Sequence, residues 1–463
     1  MGVRRMWAAG AAGMVALVAG CAQGTGGGDA TEPAFTPEAT MSGSLQVMGF
    51  GAGDEIATTR LDRAKAELDG VDVSLVEGDL DIQAFLSAVA AGDPPDIVYA
   101  NRDQIGTFAS RGAVVPLDEC YASEDIDQDA FVDAALDQVT FGGHLYGVPE
   151  FNTVQLVMAD AGLLKDAGLT LDDVNGSDWA AITSATTALA RSDGGKVSVI
   201  GYDSKLPEFL PLWAQANGAD LLSDDGRTAQ LDSPEVLEAL EFAVGVYDEQ
   251  GGFAAVKATR DAADFFGAGN QFATSTLGAM PMEQWYVNVL NEVSPDAPMA
   301  FDAFRTPAGD PLAYATGSAW AIPAGSGNPA AACRFAAVMT QQDSWLASAR
   351  ARAEAREADG LAFTGILTGN EKADQQIRDE LVDVTDEPWA SGVEAMYEAN
   401  DHTFTLPANP ADSEFKAAWQ DAVNRVLNGQ QDAAAAMAQA QEEAQAALDK
   451  AWARWDDSSA SEQ

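Results

Sequence analysis

Between Ser44 and Asp103 the chain alternates short apolar runs with amphipathic ones. LQVMGF (45–50) reads as a strand, 54–68 as a helix and VDVSLVEG (71–78) as a second strand. DIQAFLSAVAAG (81–92) places Ile82, Phe85, Leu86 and Val89 on one helical face, and DIVYA (96–100) reads as a third strand. A βαβαβ order of this kind calls for a parallel sheet covered by helices. In such sheets ligands sit beyond the carboxyl ends of the strands. The third strand ends there on Asn101, Arg102 and Asp103, three groups that are expensive to bury without partners.

The later chain continues in the same α/β style. A helix is expected over 237–249, with Ser233 as its cap and Pro234 at its first position. Strands are expected at 277–282 and 317–325, and a helix from Pro329 to about Met339. From Asp432 a helical stripe of Met437, Ala444, Leu448, Trp452 and Trp455 reads as core packing. At 463 residues the chain is too long for one compact domain on ordinary size priors.

The first 23 residues read as an export address. Arg4 and Arg5 precede a short apolar run, and small residues lead to Cys21 in LVAGC. That run is too short to span a bilayer comfortably. Residues 22–43, rich in Gly, Thr and Pro without periodicity, read as a flexible tether.

Lys and Arg total 25 against 72 Asp and Glu, a net charge of -47. Such a surface repels nucleic acid, whose binding rests on phosphate neutralisation. It also argues against docking on anionic lipid through charge. The two histidines, His144 and His402, stand alone, and no Cys or His spacing suits zinc. Asp125, Asp127 and Asp129 have the first spacings of a calcium loop, but Ala130 and Leu136 replace its glycine and glutamate. An acidic helix N-terminus accounts for them better. No cofactor motif is present, and the chain is expected to be a monomer.

The ordered landmarks resemble the extracellular solute-binding proteins of bacterial ABC importers, the sugar-binding family that includes maltose-binding protein. GDPPDIVYANRDQIGTFASRGAVVPLD (92–118) is similar to the family's strand, cleft and helix passage. GGHLYGVPEFNTVQLVMADAGLLKDAGL (142–169) is similar to its hinge region, although the family often has Tyr-Asn-Lys-Asp where LVMADAGLL stands. FLPLWAQANGADLLSDDG, LGAMPMEQW, GSAWAIPAGSGNPAAACRFAAVM and the tail from Phe415 follow in the family's order. LVAGC resembles a lipobox, which implies cleavage before Cys21 and lipidation of that cysteine. Outside the cell Cys120 and Cys333 then remain as a pair able to form a disulfide or stay as buried thiols.

The resemblance implies an α/β protein of two periplasmic-binding-protein-like lobes (type II) joined by hinge strands. Residues 1–20 would be the signal peptide and 21–43 the lipidated cysteine and tether. Lobe one would be 44–153 plus 318–366, and lobe two 154–317 plus 367–463. The ligand would be a sugar, the partners an ABC permease and, through the lipid alone, the outer face of the cytoplasmic membrane.

A sugar offers hydroxyls at its ring edge and C–H groups on its face, so its site needs polar side chains and aromatic platforms. The family's cleft positions point to Phe50 and Asp54 after the first strand, and to Asn101, Arg102 and Asp103 after the third. Asp103 aligns with a ligand-binding aspartate, or else caps the next helix; Arg102 contacts ligand, neutralises Asp103 or is a surface charge. Glu150, Asn152 and Gln155 mark the first crossing between lobes, and Gly317 and Ser318 the second. The second lobe offers Glu208, Phe209, Trp213, Glu283, Tyr286 and Trp285, the last at a sugar-stacking position. Trp213, Trp320 and Trp419 suit the core at least as well. The competing classes are a binding protein for a polyamine or peptide and an extracellular glycan hydrolase; no G-x-S-x-G elbow or P-loop is present.

Overall fold

The computed structural model describes residue 35 and residues 41–461. The expected signal peptide, Cys21 and most of the tether lie outside the described residues.

Two five-stranded sheets organise the rest. In the first, Gly43–Met48 lies between Val71–Val76 and Ile97–Asn101, parallel to both. The returning strand Thr316–Ala321 then adds antiparallel to the third strand, and Val148–Thr153 forms the far edge. Strand and helix positions match the apolar periodicity closely. Glu55–Glu67 is capped by Asp54, and Ile82–Ala91 by Asp81, whose carboxylates accept from Ala57 N and Ala84 N. One core lies around this sheet, with Leu45, Val47, Ile97, Val98, Trp320 and Phe335 all buried.

The second sheet runs Met299–Ala303, Gln155–Asp160, Leu277–Glu283, Lys196–Tyr202, Arg191–Asp193. Every residue of Gln155–Asp160 is buried, as befits a strand covered on both faces. The helix Pro234–Asp248 begins at Ser233, whose hydroxyl accepts from Val236 N. The tail helix Ala433–Ser461 buries Met437, Ala444 and Leu448, and Trp452 packs against the cores of both sheets.

Three chain crossings connect the sheets, and Arg102 ties two of them. Its guanidinium donates to Gln138 Oε1 (2.9 Å), Phe151 O (3.2 Å), Asn152 Oδ1 (2.7 Å) and Thr316 O (2.6 Å). Asn152 Nδ2 continues to Asn400 Oδ1 at 2.7 Å, on the helix Trp389–Asn400. Arg102 is therefore a buried hinge clamp and not a surface charge; the Asp103 charge favours its cationic form, but Asp103 pairs directly with Lys416. Burial pushes the guanidinium down to about 9, which leaves it cationic at neutral pH. Gly317 allows the approach: a Cβ there would fall 2.0 Å from Phe151 O and 2.9 Å from Arg102 Cζ.

The third crossing passes Leu367, whose carbonyl accepts from Asn152 N. It leads to Asp374, where Oδ1 accepts from Thr368 N at 2.9 Å and Oδ2 has no protein partner. Burial pushes this carboxyl well above the usual carboxylate range, and the charges of Glu371 and Asp401 add to it. A raised folded pKa means the native state holds a proton that the unfolded chain has released. The stability from Asp374 is full below about pH 4 and is lost as pH rises through the folded value. Asp374→Asn should therefore shrink the fall in melting temperature between pH 4.5 and 7.5; an unchanged pH profile would contradict this assignment.

Cys120 and Cys333 form a disulfide, with their Cα atoms 5.7 Å apart. Asp127 accepts from Asp129 N in a short 3₁₀ turn and pairs with Lys372, and Asp125, Asp127 and Asp129 line no cation cage. Among the described residues no helix is long and apolar enough to cross a membrane.

Candidate functional site

The carboxyl ends of the first sheet face a cleft whose other wall comes from the second sheet and the helix Asp412–Leu427. The cleft has space of about 400 Å³ for water-sized groups. Asn101, Asp103 and Ser318 line it from the first sheet, and Gln155, Glu208, Phe209 and Glu283 from the second. Gly317 lies on the floor between them.

These residues differ in what they have free to offer. Asn101 is exposed at its strand end. Asp103 is not a helix cap: it lies within the 3₁₀ turn Arg102–Gln104, and its Oδ2 accepts from Lys416 Nζ at 2.7 Å. Glu208 is largely exposed, 4.0 Å from Lys205 Nζ. Burial pushes the Glu283 carboxyl up, opposed by the Trp285 indole, which donates to it at 2.7 Å. Ser318 Oγ donates to the Tyr99 hydroxyl at 2.7 Å. Gln155 reaches the wall but spends its amide on the Tyr314 backbone, accepting at 2.8 Å and donating at 3.0 Å. It fastens the first crossing to the second rather than presenting a free group.

Four expected site residues lie in the interior instead. Phe50 packs against Tyr99 and Trp320, with ring centroids 5.4 and 5.1 Å away. Glu150 is wholly buried in an ion pair with Arg60, whose guanidinium also lies over the Trp345 ring. Burial pushes the Glu150 carboxyl up while Arg60 draws it down. Asn152 belongs to the Arg102 clamp. Trp213 is a core residue whose Nε1 donates to Ser204 O. In each case an apolar strand side or a buried partner outweighs the proximity in sequence to a strand end. Tyr286 is buried too, donating to Phe265 O, and Trp320 is core.

Trp285 stands beside the cleft rather than in its lining. It lines a second pocket of about 170 Å³ with Phe151, Asn288, Arg352 and Thr364. Its ring lies nearly parallel to that of the exposed Phe266, with centroids 6.1 Å apart. Asp54 lines the same pocket, held by Arg352.

The sequence reading missed Gln138, Thr153, Tyr314 and Thr316, and favoured packing over the cleft for Trp419; all five line the cleft. It also missed Lys416 and Gln420. The last two stand four residues apart on the polar side of an amphipathic helix, a spacing that puts both on one face. Chemically, the cleft presents hydroxyls, amides, three carboxylates and one lysine between two bodies that share a hinge. It suits a polar solute bound by hydrogen bonds.

Comparison with known proteins agrees with this architecture. A protein solved with mannotriose bound, CpMnBP1, superposes with a TM-score of 0.70 over 87% of this chain and all of that one, at 21% identity. The GacH receptor of Streptomyces glaucescens GLA.O, solved unliganded and with acarbose, gives 0.67 over 88% of this chain and 99% of that one, at 16% identity. The maltotriose-binding protein of Pyrococcus abyssi is 26% identical over 169 residues, 34% of this chain. That match spans about a third of the relative, 32% of its length. The profile of the bacterial extracellular solute-binding proteins matches residues 59–354. With that match across most of its length and the two-lobe fold beneath it, the chain belongs to the bacterial extracellular solute-binding protein family.

Proposed function

We propose that this chain captures a neutral sugar, an oligosaccharide, in the cleft between its lobes and delivers it to the permease of an ABC importer. The observation that carries this reading is a polar cleft lined from both sheets across an Arg102-clamped hinge. Structural relatives solved with mannotriose or acarbose support it. In this reading the lobes are 44–153 plus 318–366 and 154–317 plus 367–463, and they close over the sugar by a hinge motion, the handling expected of binding proteins. Residues 1–20 are removed on export, Cys21 carries lipid, and the monomer works at the outer face of the membrane without catalysing a reaction.

A library of neutral di- and trisaccharides, screened by thermal shift, tests the assignment. At a hundredfold excess over Kd a bound sugar adds about 2.7 kcal/mol to the folded state. At least one sugar should raise the melting temperature, with no new product in the mixture. The three cleft carboxylates, Asp103, Glu208 and Glu283 against Lys416, favour one second reading, a cationic solute such as a polyamine. A shift with spermidine and with no sugar would replace the first reading by the second. Release of a shorter glycan would show a hydrolase instead.

A further inference from the structure

A narrow recess adjoins the cleft, sharing Asp103, Tyr314 and Trp419 with it and adding Asp412 and Phe415. Its free space is about 20 Å³, enough for one water-sized group and too small for a sugar ring. Three of the residues that line it carry a polar atom with no hydrogen-bond partner within the protein: Asp103 Oδ1, Asp412 Oδ2 and Trp419 Nε1. Trp419 is 1% exposed and Asp412 is 9% exposed. The other carboxylate oxygens are already engaged. Asp103 Oδ2 accepts from Lys416, and Asp412 Oδ1 accepts from Asn409 Nδ2 at 2.6 Å and Asn409 N at 3.3 Å. Buried polar atoms nearly always find partners, so three around one small space call for a polar occupant.

The donor and acceptor inventory decides which occupant. The indole N–H only donates, so it needs an acceptor; Asp103 Oδ1 needs a donor. An ammonium brings donors alone and leaves Trp419 unsatisfied. A carboxylate or phosphate oxygen brings acceptors alone and leaves Asp103 Oδ1 without a donor. A hydroxyl brings one O–H and two lone pairs, and meets both needs with one atom. Burial, with the charge of Asp103, pushes the Asp412 carboxyl well above its usual range. Oδ1 already has two donors, so Oδ2 is the oxygen left for the occupant, and a carboxyl that keeps its proton there donates to the hydroxyl's second lone pair.

We propose that the recess walled by Asp103, Asp412 and Trp419 is a hydroxyl-selective subsite that takes one exocyclic hydroxyl of the bound ligand. The inference rests on the sugar reading above and adds to it the group by which one end of the sugar is recognised. It also gives a reason for the chain to reject cationic solutes despite its cleft carboxylates.

The test uses maltotriose and mannotriose, or the first neutral sugar of the panel that shifts melting, together with its terminal 6-deoxy analogue. Trp419→Phe keeps the ring and removes the N–H; Asp412→Ala removes the carboxyl, and Asp412→Asn restores a donor. By titration calorimetry, Trp419→Phe and Asp412→Ala should each weaken the parent sugar about tenfold or more, the loss of one buried hydrogen bond. Asp412→Asn should recover most of that loss. The wild type should bind the deoxy analogue as weakly as Trp419→Phe binds the parent, and Trp419→Phe should not distinguish the two sugars. Its unliganded melting temperature should hold or rise, since an unsatisfied donor is gone. Undiminished sugar binding by both Trp419→Phe and Asp412→Ala would overturn the subsite and leave the sugar reading standing. So would a wild type that binds the parent and all its monodeoxy analogues alike. Spermidine shifting the melting where no neutral sugar does would overturn both. Where Asp412→Ala fails to fold, Trp419→Phe decides alone.

Discussion

Replacing both Cys120 and Cys333 by alanine is expected to remove about 5 kcal/mol of stability, on the chain-entropy account of a cross-link. The bridge joins residues 213 apart, so it withdraws a very large loop from the unfolded ensemble. It ties the helix Asp118–Ser123 to the helix Pro329–Thr340, two segments that the sequence separates by the whole second sheet. Both sulfurs are buried, so the double variant also leaves a small gap in a packed core. Urea unfolding of the first sheet's core should move to a markedly lower midpoint. Reductant added to the wild-type protein should reproduce most of that movement, and unfolded wild-type protein without reductant should show neither thiol. An unchanged midpoint, or two titratable thiols, would contradict the bridge.

Arg102→Ala should cost about 3 to 5 kcal/mol. The side chain holds Gln138 and Asn152, both buried, and two half-buried crossing-strand carbonyls. Its removal leaves several acceptors buried without a donor and opens a cavity beneath Gly317, two costs that add. Arg102→Lys should recover little, because one ammonium cannot span the separated acceptors that the guanidinium fork reaches. Because the clamp joins the first crossing to the second, the surviving protein should also lose sugar affinity. A stability change within about 0.5 kcal/mol, the range of an ordinary surface substitution, would return Arg102 to the surface-charge reading.

The contrast at Asn101–Asp103 shows what the sequence carries. The strand end rich in polar groups lies at the cleft, because the parallel sheet places its carboxyl ends there. Adjacent residues then diverge: Asn101 and Asp103 line the cleft, whereas Arg102 turns inward to acceptors 36 to 214 residues away in the chain. Local pattern holds no record of such distant partners. The same limit explains Glu150, whose fate is set by Arg60, and Phe50, whose ring completes a cluster with Tyr99 and Trp320. The helices and strands themselves were legible because burial of one face imposes a period on the sequence. Lys416 and Gln420 went unread for a related reason. The helix Asp412–Leu427 shows an ordinary amphipathic pattern, with Phe415, Ala418 and Val423 buried. Only its placement across the cleft makes its polar side a wall of the site. Trp419 suited packing better than the cleft and is almost fully buried, yet it lines the recess and its N–H has no partner within the protein.

Small-angle scattering of the protein with and without a saturating neutral oligosaccharide addresses capture by lobe closure most directly. The radius of gyration should fall on addition of the sugar and stay unchanged with an equal concentration of spermidine. A radius indifferent to every neutral sugar in the panel would contradict the account.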